Sequence, residues 1–409
     1  MPPVRASLPP LASSPSADRV LETLLLPLQQ GQLALPAGQA LFLRARATDA
    51  LRELGLQAIV CEQGFKPDAD ALLRAGFTLR NDAGPQAADD ADHSEARGAD
   101  ASRRFALVLV LPPRQREEAR ALLARAVDSL APGGVVLVAM ANDEGARSGE
   151  ADLQRLVGPV GTLTKNKCRA YWSAPCGGAG WQLDAALLAQ WRVLDALRPV
   201  GADGATGDGR FVSRPGLFAW DRVDPATELL AAHVPADMAG RVADLGAGHG
   251  MLAALLLARC RRIKGIDLFE AELRALDAAR INLARWARST DMPADGGVAP
   301  AGDAADDERR VRIGYHWHDV TTGVPGFFDA VVSNPPFHHV GRAALPEVGR
   351  RFILAAAAAL RPGGSFWMVA NRNLPYEAVL AERFGSVRIV VEAGGYKVIE
   401  AIRAVQRSR

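Results

Sequence analysis

Apolar residues fall into short unbroken runs separated by stretches of helical spacing, the rhythm of buried parallel strands joined by helices. Asp18 stands as an N-cap before Leu21, Leu24, Leu25 and Leu28, with Pro27 and Gly31 as stop signals. Runs at 40–43 and 58–60 read as strands around a helix at 47–54. A run at 105–111 then ends in Pro112-Pro113 and is followed by a helix at 119–130, Pro132-Gly133-Gly134 and a strand at 135–139. The second half repeats this order: 328–333, Asn334-Pro335-Pro336, a helix to Leu360, Pro362-Gly363-Gly364 and a strand at 366–370. Two such copies imply an internal duplication.

The expected organisation follows from these patterns. Residues 1–17, rich in Pro, Ser and Ala, read as a disordered tail. A first α/β domain spans 18–175, with an Ala, Asp and Gly insertion at about 84–102; an amphipathic helix at 183–197 that bridges the halves and a linker at 199–209 fill 176–210. A second domain covers 211–409, with an insertion at about 290–309. It ends in strands at 387–392 and 396–403 joined by Gly394-Gly395 at hairpin spacing, which gives seven strands with an antiparallel final hairpin. The fold class is thus two tandem Rossmann-like α/β domains.

Composition narrows the function classes. At 49% hydrophobic and 23% charged residues, 409 residues allow two full cores and exclude fibrous and wholly disordered classes. No run approaches a membrane span and no leader pattern opens the chain, so a cytoplasmic protein is expected. Cys61, Cys168, Cys176 and Cys260 form no Cys-x-x-Cys pair, which argues against zinc. His316 and His318 share one side of a strand without an evident third ligand, so no metal is expected. A net charge of +2 permits nucleic acid without indicating it.

Three stretches carry candidate chemistry. Asp244-Leu-Gly246-Ala-Gly248-His-Gly250 lies between a strand and a helix, where glycines admit a ligand to the backbone; its spacing suits the amino-acid end of S-adenosylmethionine. Asp244 would orient the loop or the cofactor's ammonium. The strand 264–267 ends in Asp267, an acid placed to accept ribose hydroxyls, and Asp319 is placed to accept from an adenine amine. Third, Asn334-Pro335-Pro336-Phe337 leaves its strand on a rigid turn at the C-terminal edge of the sheet. The Asn334 carboxamide oxygen and the Pro335 carbonyl are two acceptors suited to a planar amine, and Phe337 offers a ring for stacking a base. Leu111 stands at the position of Asn334 in the first copy, which has lost this chemistry. Lys165, Lys167 and Arg169 alternate with apolar residues as one strand, open to two readings: an RNA-facing patch, or a solvated edge kept from aggregating by its charges.

These residues carry a resemblance. The stretch from about Phe211 to Ala404 resembles class I S-adenosylmethionine methyltransferases, and among them the bacterial 16S ribosomal RNA guanine-N2 methyltransferases. The matching stretches are Gly216-Leu-Phe218 with Asp224 and Thr227, Asp244 to Gly250, Asp267, Asn334-Pro-Pro-Phe-His338, Pro362-Gly-Gly364, Val369-Ala-Asn371 with Leu374-Pro375, and Gly395-Tyr-Lys397-Val. The first half resembles that family's degenerate methyltransferase-like domain. The resemblance implies methylation of a guanine N2 amine in 16S rRNA, S-adenosylmethionine as cofactor, and ribosomal RNA as partner, within the 30S subunit or a precursor; of the oligomeric states, which the sequence does not fix, a monomer is favoured. It places Phe218, Asp224 and Thr227 at the cofactor and His338 with Phe337 at the RNA. The chain departs from the family at Ala226, where Gly is common, and in the insertion before Val311. Asn-Pro-Pro-Phe is shared with other amine and amide methyltransferases, so 23S rRNA guanine, adenine-N6 and protein glutamine remain alternatives, as does a non-catalytic assembly factor.

Overall fold

The computed structural model describes residues 18–56, 58–80, 104–201, 211–288, 310–336 and 341–405. The expected tail, both insertions, most of the expected linker, Phe337 and His338 lie outside the described residues.

The chain forms two compact units, one from Ser14–Leu197 with Arg214–Gly216, the other including Arg198–Ser213 and Leu217–Arg409. In the first, β1 (Ala40–Leu43), β2 (Val60–Glu62), β3 (Thr78–Leu79), β4 (Phe105–Val110), β5 (Leu130–Ala141), β6 (Val160–Lys165) and β7 (Cys168–Ser173) make a sheet of order β3-β2-β1-β4-β5-β7-β6. A short antiparallel pair, β8 (Arg198–Pro199) and β9 (Val212–Ser213), belongs to the second unit. There β10 (Ala239–Leu245), β11 (Arg262–Glu270), β12 (Arg312–Trp317), β13 (Phe328–Ser333), β14 (Leu360–Asn371), β15 (Ser386–Ala393) and β16 (Tyr396–Ile402) run β12-β11-β10-β13-β14-β16-β15. The two orders are the same when counterparts are matched. In each sheet the penultimate strand pairs antiparallel with both neighbours, and the rest are parallel.

Central strands are buried on both faces, which is why their sequences read as continuous apolar runs rather than alternating ones. Val331 and Met368 face one core with Phe352, and Val332 and Trp367 face the other with Leu252. The duplication extends to irregularities. The register slips between Phe105 and Leu107 in β4–β5, and between Phe328 and Ala330 in β13–β14. Both slips face a Pro-Gly-Gly turn. Gly133 and Gly363 are left-handed, with φ of 76° and 78°. Gly134 and Gly364 are pressed on backbone: a Cβ on Gly364 would lie 2.9 Å from the carbonyl oxygens of Arg361 and Asp329, and one on Gly134 would lie 2.6 Å from that of Phe105.

Four expectations are corrected. The helix expected at 183–197 is Ala185–Arg192, and it buries Leu188 and Trp191 in the core of the first unit, which extends to Leu197. The strand expected at 58–60 is Val60–Glu62. Lys165 to Trp172 is a hairpin, not one strand: Asn166 and Lys167 take φ of 53° and 58° and turn the chain between β6 and β7. The strand expected to end at Asp267 continues through Phe269 to Glu270, and the next helix begins at Leu273.

Gly364→Ala should destabilise the second unit by about 1–3 kcal/mol, because backbone cannot yield to the added methyl as a side chain could. Urea denaturation followed by tryptophan fluorescence reads this, and a loss confined within error would show the turn to be slack.

Candidate functional site

β10 and β13 are parallel neighbours, with Asp244 opposite Val332 and Leu245 opposite Ser333. The Ser333 hydroxyl donates to the Leu245 carbonyl at 2.7 Å. Both strands therefore leave the sheet at one level. From β10 comes the glycine loop, with Gly246, Gly248 and Gly250 all left-handed at φ of 72°, 54° and 84°. A Cβ at Gly246 would press on the Phe352 ring at 3.1 Å and one at Gly250 on Ala279 at 3.2 Å and Leu283 at 3.3 Å, whereas Gly248 faces open space. From β13 comes Asn334, half-buried, then buried Pro335 and exposed Pro336.

Loop and turn share one open cleft of about 440 Å³, counting the solvent at its mouth. Its walls bring together Phe218, Asp224, Thr227, Asp244, Gly246, Gly248 and Asn334, seven of the positions singled out in the sequence. Asp224 caps the helix Pro225–His233, accepting from the Thr227 amide through Oδ2 at 2.8 Å. The same oxygen takes the Thr227 hydroxyl at 3.0 Å and Asn334 Nδ2 at 2.8 Å, and Nδ2 also lies 2.9 Å from Thr227 Oγ1. The two of these bonds that involve Asn334 both come from its amide nitrogen and none reaches its oxygen.

Asp244 is 1% exposed and neither carboxylate oxygen has a hydrogen-bond partner. Burial pushes its carboxyl up to about 8, with the Glu270 carboxylate adding to the rise and the nearby Ala253 backbone N–H, short of hydrogen-bond geometry, opposing it. A buried, unpartnered acid in the wall of a cleft is an acceptor awaiting a donor. A cationic or N–H-bearing ligand group fits it.

Asp267, expected at a cofactor ribose, lies away from the cleft lining. It lies in mid-strand, opposite Ala243 and Gly314, three residues short of the end of β11, and it does not line the cleft. Arg241 Nη2 at 2.8 Å, Arg312 Nη2 at 2.7 Å and His316 Nε2 at 3.0 Å surround its carboxylate. Burial alone would raise its pKa, but bonds from His316 and Arg241 and the charge of Arg312 hold it at about 2. The acid at the strand end is Glu270, which the sequence reading missed. Its Oε2 accepts from the Gly248 amide and Oε1 from that of Glu272, both at 2.8 Å, so it ties the glycine loop to the start of the next helix. The signal available was the apolar pair Leu268-Phe269, which prolongs the strand beyond Asp267.

Asp319 caps a short turn, accepting from the amide and hydroxyl of Thr321 at 2.9 and 2.6 Å, and is not among the cleft residues. His316 stacks on Phe269 at 4.5 Å while bonding Asp267, and His318 bonds the Gly323 carbonyl, so each is engaged singly. Among the described residues no group of His, Cys, Asp and Glu is arranged to hold a metal. In the first unit Lys165 and Lys167 are exposed at the hairpin tip, whereas Arg169 is paired with Glu150 and so is not a free RNA contact. His249 was also missed: it is 5% exposed in the cleft wall, with Nδ1 unpartnered and its pKa lowered by burial.

Residues 208–306 and 297–400 match the methyltransferase small domain family. Ribosomal RNA small subunit methyltransferase C from Shewanella loihica is 28% identical over 72% of this chain and 76% of its own length, and that from Pectobacterium atrosepticum 28% over 71% and 72%. The solved structure of the T. thermophilus 16S rRNA N2 G1207 methyltransferase (RsmC), in complex with AdoMet and guanosine, superposes with a TM-score of 0.67 over 94% of this chain and 91% of that one, at 23% identity. The second unit is a methyltransferase domain. Over most of its length, both sheets included, the chain is similar in sequence and fold to the RsmC methyltransferases.

Because Asp244 is raised in the folded state, its contribution to stability is complete below about pH 4, the unfolded value, and is lost as pH rises through about 8. Relative to Asp244→Asn, the ligand-free wild type should lose up to about 1.4 kcal/mol per pH unit across that window. Denaturation at several pH values reads this, and parallel curves would place the carboxyl in contact with water.

Proposed function

We propose that this chain transfers a methyl group from S-adenosylmethionine to the exocyclic N2 amine of a guanine in 16S ribosomal RNA. The observation that carries the reading is Asn334, fixed at the end of β13 in the same cleft wall as the glycine loop, with its amide nitrogen engaged and its oxygen left as an acceptor. Likeness to the RsmC proteins supplies the substrate class. The 30S particle or a precursor as the physical substrate, a monomeric enzyme and a cytoplasmic site of action complete the proposal.

The cleft fits the cofactor on its own evidence. Asp244 presents two unpartnered oxygens to an ammonium, and left-handed Gly248 leaves open space beside the backbone. In this proposal Glu270, at the end of β11 and bonded to the Gly248 amide, accepts ribose hydroxyls, the role first expected of Asp267. The cofactor supplies an electrophilic methyl group on a sulfonium. Asn334 Oδ1 and the Pro335 carbonyl accept the two amine hydrogens and aim the nitrogen lone pair along the line of attack. With Asp244 and the glycine loop holding the cofactor, its sulfonium would give up the methyl group to the amine and keep the electron pair of the broken bond, and the surplus amine proton would pass to water. Asn334 holds that proton without taking it, so positioning supplies most of the rate. Phe337 and His338 remain the proposed base contacts, and Lys165 and Lys167 the proposed RNA contacts of the first unit.

Tritiated methyl transfer to 16S rRNA and 30S particles, with nucleoside analysis, should give N2-methylguanosine. Asn334→Ala should lower turnover about a hundredfold or more while cofactor affinity holds; N6-methyladenosine as the product would overturn the substrate assignment. Titration calorimetry with S-adenosylhomocysteine separates the two acids: Glu270→Gln should weaken binding about tenfold, the cost of roughly one hydrogen bond to a charged group, and Asp267→Asn should not. The reverse result would return the ribose to Asp267.

A further inference from the structure

We propose that Asp224 and Thr227 are positioning residues that orient and polarise the Asn334 amide, rather than contacts to the cofactor. The proposal deepens the amine-methylating reading and rests on it. Asn334 Nδ2, Asp224 Oδ2 and Thr227 Oγ1 form a closed triangle with sides of 2.8, 2.9 and 3.0 Å. Each bond has one consistent direction: Asn334 donates to both oxygens, and the Thr227 hydroxyl accepts from Asn334 while donating to Asp224. Asp224 Oδ2 is itself anchored by the Thr227 amide in the first turn of its helix. Residues more than a hundred positions apart in the chain are thereby joined at the point where the amine must be received.

The triangle sets which end of the amide faces the cleft. Turning the Asn334 amide over would bring its oxygen to within 2.8 Å of a carboxylate oxygen, acceptor against acceptor. Oδ1 is therefore held outward. A charge-assisted bond from Nδ2 also draws the amide toward its polar resonance form, which raises electron density on Oδ1 and strengthens its hold on the amine hydrogen. Thr227 is 6% exposed, so the bond works where water competes little. No proton leaves the triangle during the reaction. Its effect belongs to turnover, not to cofactor affinity.

Thr227→Val keeps the shape and the helix cap but removes the hydroxyl, and Thr227→Ser restores it. Turnover on 16S rRNA at saturating cofactor, the Kd for S-adenosylhomocysteine by calorimetry, and the 15N–1H side-chain resonance of Asn334 are measured together. Thr227→Val should lower kcat about a hundredfold, leave Kd unchanged and shift the Asn334 amide resonance, with Thr227→Ser recovering most of the rate. Loss of cofactor affinity in proportion to rate would make both residues cofactor contacts and overturn the proposal. So would an unmoved Asn334 resonance. If the wild type methylates no RNA, the functional reading fails, while the resonance and the cofactor titration still decide the triangle.

Discussion

The level at which β10 and β13 end is the constraint on which the site depends. Parallel pairing sets Leu245 beside Ser333, and the Ser333 hydroxyl closes the last gap on the Leu245 carbonyl. Whatever follows in either strand must emerge side by side. The third strand joins the same level, because the Gly246 amide donates to the Phe269 carbonyl at 2.8 Å and Glu270 then reaches Gly248. A slip of one residue in either pairing would turn Asp244 and Asn334 away from one another, since neighbouring positions on a strand face opposite sides.

The first unit has the same frame and a different edge. Its sheet repeats the order and the register slip of the second, so the turns that shape the sheet have outlasted the chemistry. Beyond β1 stands Arg44, with a left-handed φ of 54°, where β10 leads into glycine. Arg44 pairs with Glu118 at 3.2 Å and Arg46 with Asp18 at 2.7 Å, and buried Leu111 takes the place of Asn334. Side chains paired with each other occupy an edge that in the second unit is left as open backbone. Such an edge supports the fold with side chains where the second unit has bare glycine backbone.

What the sequence disclosed were features written locally. Double prolines, Pro-Gly-Gly turns, the spaced glycines and the Gly394-Gly395 hairpin each force a backbone shape by themselves, and together they gave the strand count and the place of Asn334. Features decided by distant partners were hidden. Asp267 looks like a strand terminus until the cations of β10 and β12 are seen to enclose it, and Leu268-Phe269 suits a helix start as well as a strand. The Asn166-Lys167 turn contains no glycine, so its reversal left no mark in a pattern of alternating charge. The face of the helix Ala185–Arg192 is equally apolar whichever core receives it. The roles of Asp224 and Thr227 could be sensed only through a resemblance, and their bonds to a residue over a hundred positions away could not be read at all.

Asp267 has a consequence of another kind. One carboxylate joins Arg241 of β10 to Arg312 and His316 of β12, across the strand between them, and so staples the outermost strand of the sheet to its centre. The residues just before β12 are a long segment of Ala, Asp and Gly. The ladder to β11 and this staple together fix where β12 lies, so the outer strand is held to the centre of the sheet from within, and the frame of the cleft does not depend on how the chain arrives there.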